Sequence, residues 1–305
     1  MNLEKFKHQF FILPVVASLL ALIAIFMWGL KPGIDLRGGS LLEVAFPDGR
    51  PEISLIQEKV DTLNLGEVRI QTAGEREVVL RQRSLTQSEK KSVDVILTSF
   101  GKIEEVQFNS VGPSIGEELM RKAWWAIGLV SLSIILFIAF AFRGVSKPVS
   151  SWKYGIVAII TLLHDILIPT GYFAYLGHAH NAEVGVLFIV AILTILGISI
   201  NDTIVVFDRI RENLHINEDK RQHQEFSAVV WKSIKQTLAR SVNTSLTVII
   251  MLLVLFISGP ESTKDFSLTL IIGMVAGTYS SIFLASPLLV LIADYEARKN
   301  KTAKS

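Results

Sequence analysis

Six long stretches of apolar, almost uncharged residues separate the charged parts of this chain. Each stretch has about 18 to 24 residues, the length with which an α-helix crosses the hydrocarbon core of a bilayer. Half of the 305 residues are hydrophobic. Because a soluble domain could not bury that much apolar surface in six such runs, we expect an α-helical polytopic membrane protein with six transmembrane helices.

The first stretch follows Lys5 and Lys7, as a signal peptide would. Its apolar run is longer than a signal core, and no small-x-small cleavage site follows it, so we expect it to remain as an anchor. The last stretch is long enough to tilt or to extend past the bilayer. The predicted spans are Phe10–Leu30, Ala123–Phe142, Tyr154–Leu176, Val184–Phe207, Arg240–Ser258 and Phe266–Ala293.

Lysine and arginine residues in the short loops predict the orientation, because they concentrate on the cytoplasmic side. With a cytoplasmic N-terminus, that side holds the loop 208–239 and the basic tail 298–305, together with Lys5, Lys7, Arg143, Lys147 and Lys153. The short loops on the other side hold only Lys264. We therefore expect both termini to be cytoplasmic. An apolar stripe in the loop, Phe226, Val229, Val230 and Ile234, predicts a helix at the membrane surface.

Residues 31–122 predict a folded extracytoplasmic domain between the first span and the five-helix membrane part, residues 123–297, because a structureless loop of that length is unusual. Alternating apolar positions predict strands at Ser40–Phe46, 67–71, 77–83 and 102–108, and two helical stripes lie between them. The order βαββαβ is that of a ferredoxin-like α+β unit, a topology that specifies no function by itself.

Composition argues against several other classes of function. The net charge of +2 gives no case for a nucleic-acid partner. The chain has no cysteine, which excludes disulfides and thiolate metal sites. No nucleophile–base set stands at the needed spacing, so we expect neither an enzyme nor a cofactor. The segment around Gly33, Asp35, Gly38 and Gly39 lacks the spacing of a phosphate-binding loop, and we interpret it as a hinge between domain and membrane.

Ionisable residues inside a span are costly, so each needs a reason. Asp202 lies with Asn201 in the fourth span, and Arg240 opens the fifth span at a compatible depth. We hypothesise that Asp202 and Arg240 share a polar interior site that binds and releases a proton; the alternative for Arg240 is an anchor at the membrane interface. Asp165, beside His164 in the third span, has a functional and a purely structural interpretation, and the pair is not a metal site because no third ligand is at hand.

Small residues recur every four positions in the sixth span, at Gly273, Gly277 and Ser281. Such spacing predicts close packing of this helix against another one.

Four segments of the chain carry a resemblance: Gly33–Gly39, 199–213 (Ser-Ile-Asn-Asp-Thr-Ile-Val-Val-Phe-Asp-Arg-Ile-Arg-Glu-Asn), 240–247 and 277–287. Together they resemble the SecD/SecF family of protein-export membrane proteins, part of an efflux-pump-like superfamily. The 199–213 segment is similar to the fourth-span signature of the SecF type almost letter for letter. A single outer domain of about ninety residues also suits the SecF type, since SecD carries a larger domain.

This resemblance implies a subunit in the bacterial cytoplasmic (inner) membrane that pairs with SecD beside the SecYEG channel. It implies use of the proton motive force to promote export of a translocating polypeptide. By matching positions it places Asp202, Arg240, Asn201 and Asp165 on a proton or ion path. Two alternatives stay open: a half-transporter for small molecules or lipids, and a passive membrane scaffold in which Asp202 and Arg240 are replaceable. A lone carboxylate is compatible with H⁺ or Na⁺.

Overall fold

The computed structural model describes residues 9–141, 149–221 and 224–302. The predicted cytoplasmic residues Lys5, Lys7, Arg143 and Lys147, the span end at Phe142 and the tail residues 303–305 lie outside this part of the chain. The described residues divide into two compact units. Lys31–Trp125 and Glu183–Val186 form the α+β unit, and the other described residues form the membrane unit.

The α+β unit contains one four-stranded antiparallel sheet in the order β2-β3-β1-β4. This is the strand order of a ferredoxin-like βαββαβ unit, so the predicted fold is confirmed. A short helix, α2, precedes the first strand. The elements are α2 (Ile34–Arg37), β1 (Gly39–Ala45), α3 (Ile53–Asp61), β2 (Arg69–Ala73), β3 (Glu77–Gln82), α4 (Gln87–Thr98) and β4 (Glu104–Val111).

The core of the α+β unit forms because alternate side chains of the central strands meet the apolar stripes of α3 and α4. Strand β1 contributes Leu42 and Val44, and β3 contributes Val78 and Leu80, all fully buried. The helices contribute Ile56, Val60, Val93 and Leu97 to the same cluster. Burying these side chains is the main source of stability for a unit of this size.

Helix α4 begins at a capping box. The backbone N–H of Thr86 donates to Glu89 Oε2 at 2.8 Å, and the N–H of Glu89 donates to Thr86 Oγ1 at 3.3 Å. These bonds satisfy amide groups that a helix start leaves without partners. Arg83 also pairs with Glu89, and its hydrogen bond, with those from Thr86, lowers the pKa of Glu89 to about 2.

Within the described residues, six helical segments are long and apolar enough to cross a membrane, so the expected multi-pass architecture is confirmed. The helices are α1 (Gln9–Trp28), α5 (Pro113–Ala141), α6 (Ser151–Ala179), α7 (Val186–Asp219), α8 (Phe226–Ser258), α9 (Glu261–Ser280) and α10 (Ser286–Thr302). Several are longer than the predicted spans; α7, for example, ends twelve residues after the predicted end at Phe207. Helix α5 begins ten residues before the predicted span, and α8 begins at Phe226, so the stripe predicted as a surface helix is instead the first part of α8.

The first part of α8 packs inside the protein. Val230 and Ile234 are buried in one cluster with Phe207 and Ile210 of α7. Asn213 of α7 adds hydrogen bonds across the same contact, to Ser233 Oγ and Gln236 Oε1, both at 2.8 Å. The apolar stripe is therefore covered by α7 and not by lipid. Its amphipathic pattern suggested a separate helix at the membrane surface, but the same pattern suits the first part of α8 because that part packs against α7.

The sixth span consists of α9 and α10, joined by a π-helical turn over Ser281–Ala285. Pro287 follows this turn and lacks the N–H that an α-helix would use to reach the carbonyl four residues earlier. A wider turn accommodates the missing bond, and such π turns are frequent at functional sites.

Candidate functional site

Asp202 lies inside the membrane unit at the meeting point of three helices. Its side chain on α7 is 5% exposed. Ser245 Oγ of α8 makes a long hydrogen bond of 3.4 Å to Asp202 Oδ2, and Thr278 Oγ1 of α9 donates to Ser245 Oγ at 2.6 Å. A short series of hydroxyls from two neighbouring helices thus leads to the carboxylate.

A narrow crevice runs beside Asp202 between α7 and α9. Its walls are apolar apart from the carboxylate and two hydroxyls. Polar groups are few here and converge on one acidic side chain, and the crevice is too narrow to hold a water molecule. Its geometry is compatible with a proton on the carboxylate rather than with a hydrated ion. The lining residues are Ile195, Ile198, Ser199 and Asp202 of α7, with Gly273, Met274, Gly277 and Thr278 of α9.

The small residues of the sixth span lie against α7 along this crevice. A Cβ atom on Gly273 would lie 2.2 Å from Ile195 Cδ1, and one on Gly277 would lie 3.1 Å from Ser199 Cβ. One turn further, Ser281 Oγ lies 3.1 Å from Thr203 Oγ1. Small side chains at every fourth position therefore let the two backbones approach beside Asp202.

Asp165 is a second buried carboxylate and has 0% exposure. Its Oδ1 lies 2.9 Å from Nδ1 of His164, and its Oδ2 accepts a hydrogen bond from Ser199 Oγ of α7. Within the described residues no group of three potential ligand side chains of the His, Cys, Asp or Glu type is found. The His164–Asp165 pair thus supplies hydrogen-bonding and acid–base groups.

Two other residues predicted for the site lie apart from the carboxylate in this structure. Arg240 is exposed at its place on α8, and among the described residues no ion pair joins it to Asp202. The reason is helical geometry: Arg240 precedes Ser245 by five residues, which places it on another side of α8. Asn201 is also exposed, because its neighbour Asp202 takes the inward-facing position on α7.

The segment predicted as a hinge is bound on two sides within the α+β unit. Gly33 N donates to Val184 O at 2.9 Å, and Asp35 Oδ2 accepts a 3.3 Å bond from the N–H of Val186, where α7 begins. Gly38 has a φ of +80°, and a Cβ there would lie 2.6 Å from Cα of Pro113. Glycine is needed here because it permits both the positive φ of the backbone and the close approach to the start of α5.

The sequence patterns did not single out the serine residues near the two carboxylates. Asn243 and Thr244 are exposed, whereas Ser241 and Ser245 face inward, and Ser199 touches Asp165. The spacing of Ser241 and Ser245 could have indicated a polar helix face, because residues four positions apart lie on the same face of a helix. Spacing within one helix does not show which neighbouring helix that face meets, so the contacts themselves required the structure.

Comparison with known proteins gives two family matches. The family described as "Protein export membrane protein SecD/SecF, C-terminal" matches residues 92–295, and the "SecD/SecF GG Motif" matches residues 23–46. The protein translocase subunit SecF of Thermobaculum terrenum is 41% identical over 302 residues, covering 95% of this chain and 93% of that protein. The SecF of Synechocystis sp. is 35% identical, covering 94% and 93%.

Solved structures agree with these matches. A crystal structure of SecDF from Thermus thermophilus, a translocon-associated membrane protein, is 31% identical with a TM-score of 0.82 and covers 96% of this chain. SecDF in its super-membrane-facing form gives a TM-score of 0.69 over 100% of this chain. The chain spans about two fifths of those SecDF chains, 39% and 40%. The similarities in sequence and in structure thus agree along almost the whole length: the chain belongs to the SecD/SecF family of protein export membrane proteins.

Proposed function

We propose that this chain is the SecF-type accessory subunit of a Sec protein translocase. It pairs with a SecD partner next to the SecYEG channel and uses the proton motive force to promote export of the translocating polypeptide. The observation that carries the proposal is the buried carboxylate of Asp202 beside a narrow, mostly apolar crevice. The SecF relatives, whose length the chain nearly matches, support the accessory role.

The orientation belongs to the same proposal. Both termini and the loop 208–239 lie in the cytoplasm of a bacterial cell, and the α+β unit lies outside the cytoplasmic membrane. The support is the distribution of lysine and arginine residues, which favours the cytoplasmic side for every basic short segment. In this arrangement the α+β unit is on the side where an exported polypeptide emerges.

The chemistry follows from the cost of a charge inside the membrane. With Asp202 protonated, the crevice is neutral; with Asp202 ionised, it holds a charge that needs polar partners. Helices α7, α8 and α9 all contribute to its surroundings, so a change in this charge alters the preferred arrangement of three helices. Proton binding from one side and release to the other then alternates between two arrangements of these helices.

In the other arrangement of these helices, Arg240 approaches Asp202. In the present one it is exposed and Ser245 is the hydrogen-bond partner of Asp202. A guanidinium that approaches an ionised carboxylate stabilises its charged form, which would favour release of the proton. A lysine in place of Arg240 keeps the charge and a glutamine removes it, so the glutamine variant alone should lose function if charge is what matters. An interface anchor predicts little effect from either substitution.

The test is secretion by bacterial cells depleted of their own SecF and supplied with this chain and its cognate SecD. Asp202→Asn keeps the size of the side chain and removes its ionisation. Asp208→Asn is the matched control, because Asp208 is on the same helix but is exposed and pairs with Arg211 at 2.6 Å. We expect the first variant to accumulate unprocessed precursor and the second to export normally, at equal membrane levels. Normal export with both would refute the proton path and favour the scaffold alternative.

A further inference from the structure

Helix α8 carries positive charges in its first half and no negative charge along its whole length. The cationic residues are Lys232, Lys235 and Arg240, and no aspartate or glutamate occurs between Phe226 and Ser258. Both lysines are exposed. Within the described residues neither of them takes part in an ion pair, in contrast to other cations of the membrane unit.

Those other cations have acidic partners inside the chain. Lys153 of α6 pairs with Glu296 of α10. The two arginines that follow Phe207 on α7 pair with acidic residues of their own helix. The charge of the two α8 lysines is therefore available to an anion from outside the chain.

The two lysines lie on the same face of α8 as a series of exposed apolar residues. This face, the lysine stripe, consists of Lys232, Lys235, Ala239, Val242, Leu246 and Ile250. Its members follow one another at steps of three and four residues, which share one side of a helix. Leu246 is 50% exposed and Ile250 53% exposed. The stripe thus changes along α8 from cationic to apolar, as a phospholipid changes from headgroup to acyl chain.

The depth of the lysines matches the headgroup layer of a bilayer. About 20 helical residues cross a hydrocarbon core of about 30 Å, so counting back from the end of α8 at Ser258 places the boundary of the core near Ala239. Lys235 is about 6 Å and Lys232 about 10 Å beyond that boundary, at a rise of about 1.5 Å per residue. The headgroup layer on each side is about 5–7 Å thick. Flexible lysine side chains reach the phosphate level from these positions.

We propose that the lysine stripe binds an anionic phospholipid of the cytoplasmic leaflet. The phosphate lies between Lys232 and Lys235, and an acyl chain lies along Val242 and Leu246. The inference rests on the orientation proposed above. Ser233, beside Lys232, joins α8 to α7 because its Oγ accepts a hydrogen bond of 2.8 Å from Asn213 Nδ2. A lipid bound at this place therefore holds both helices at one depth in the membrane.

Other occupants of the stripe make different predictions. Lysines that are only hydrated give no preference for an anionic lipid. A free phosphate ion would use the lysines and leave the apolar part of the stripe unused. An acidic segment of a partner protein would cover the lysines and exclude lipid. The continuous apolar part below the lysines favours the phospholipid, because only this anion has a chain that fits it.

The test uses the full chain with its SecD partner in phosphatidylcholine nanodiscs. A small amount of phosphatidylglycerol with a photoreactive acyl chain is added, and photoreactive phosphatidylcholine serves as the neutral reference. Crosslinks are mapped by mass spectrometry. We expect excess labelling by phosphatidylglycerol on the segment 242–250. Each single variant, Lys232→Gln or Lys235→Gln, should lower this excess about fivefold, and the double variant should abolish it.

Two double variants serve as controls. Lys220→Gln with Arg221→Gln removes the same charge from the same loop, but past the end of α7 at Asp219 and farther from the bilayer, so the excess should remain. Lys232→Arg with Lys235→Arg keeps the charge and should keep the excess.

Equal labelling by the two lipids in the parent chain, or an excess that survives the double glutamine variant, would overturn the inference. Displacement by inorganic phosphate would overturn it too, because the site would then bind a free anion. Absence of any label on α8 would show that a protein segment covers the stripe. The readout needs no proton gradient, so a failure here leaves the proposed function standing, and normal export by Asp202→Asn would refute that function without affecting the lipid site.

Discussion

Helices α1 and α6 approach closely at Gly171, and replacing this glycine tests the packing of the membrane unit. Gly171 of α6 lies against the backbone of α1. A Cβ atom on Gly171 would lie 2.4 Å from both Cα and Cβ of Ala21 and 2.8 Å from its carbonyl oxygen. Nonbonded carbon atoms normally approach to about 3.5–4.0 Å. Gly171→Ala therefore forces the two helices apart by about 1 Å or more.

The size of the effect follows from a comparison with a second glycine. Gly197 of α7 has no atom within 4 Å of its virtual Cβ. Both Gly→Ala changes gain the same helix propensity, at most about 1 kcal/mol. Only Gly171→Ala adds the cost of overpacking, typically about 1–3 kcal/mol. The difference between the two variants isolates that cost, so Gly171→Ala should be less stable than Gly197→Ala by about 1–3 kcal/mol.

The assay is reversible denaturation of the purified chain in detergent micelles, followed by loss of helical circular dichroism. Gly197→Ala should unfold at or slightly above the parent midpoint, and Gly171→Ala clearly below it. Equal midpoints for the two variants would show that α1 and α6 do not meet at this glycine, and the described packing would be wrong.

Three further predictions concern the α+β unit. Glu89 has a folded-state pKa of about 2 against an ordinary 4.5, so its contribution to stability is present above pH 4.5 and is lost as the pH falls towards 2. Glu89→Gln should flatten that part of the pH profile of thermal unfolding; an unchanged slope would exclude the Arg83 pairing. Gly38→Ala should destabilise the chain by several kcal/mol, since it combines strain at φ +80° with a backbone clash at Pro113, and normal expression and midpoint would refute this. Asp35→Ala should speed hydrogen exchange at the first amide of α7, which loses its acceptor; unchanged exchange would contradict that bond.

Much of the fold follows from patterns that are local in sequence. Long uncharged runs predicted the membrane helices, and alternating residues such as Leu42 and Val44 predicted the strands of the sheet. The ends of the helices could not be predicted in the same way. Helix α5 begins on polar residues before its apolar run, and α8 begins on an amphipathic segment before its own. Nothing in a hydropathy pattern separates the end of a span from the end of a helix.

The candidate site was predicted only in part, for a related reason. Asp202 and Asp165 stand out because an acidic residue in an apolar run is rare. Serine is common in such runs and gives no comparable signal, so Ser199 was not distinguished from its neighbours. Its importance comes from a contact with a residue 34 positions away. Likewise, similar depth suggested that Arg240 meets Asp202, but depth does not fix the direction in which a side chain leaves its helix.

The central claim is that Asp202 couples the proton motive force to export. Its most direct test is the export of a purified precursor into inverted membrane vesicles that contain SecYEG, SecD and this chain, with and without an uncoupler. The parent chain should accelerate completion of export, and the uncoupler should remove the acceleration. Asp202→Asn should show no acceleration and no sensitivity to the uncoupler beyond that of vesicles without the chain. Full, uncoupler-sensitive acceleration by Asp202→Asn would contradict the account.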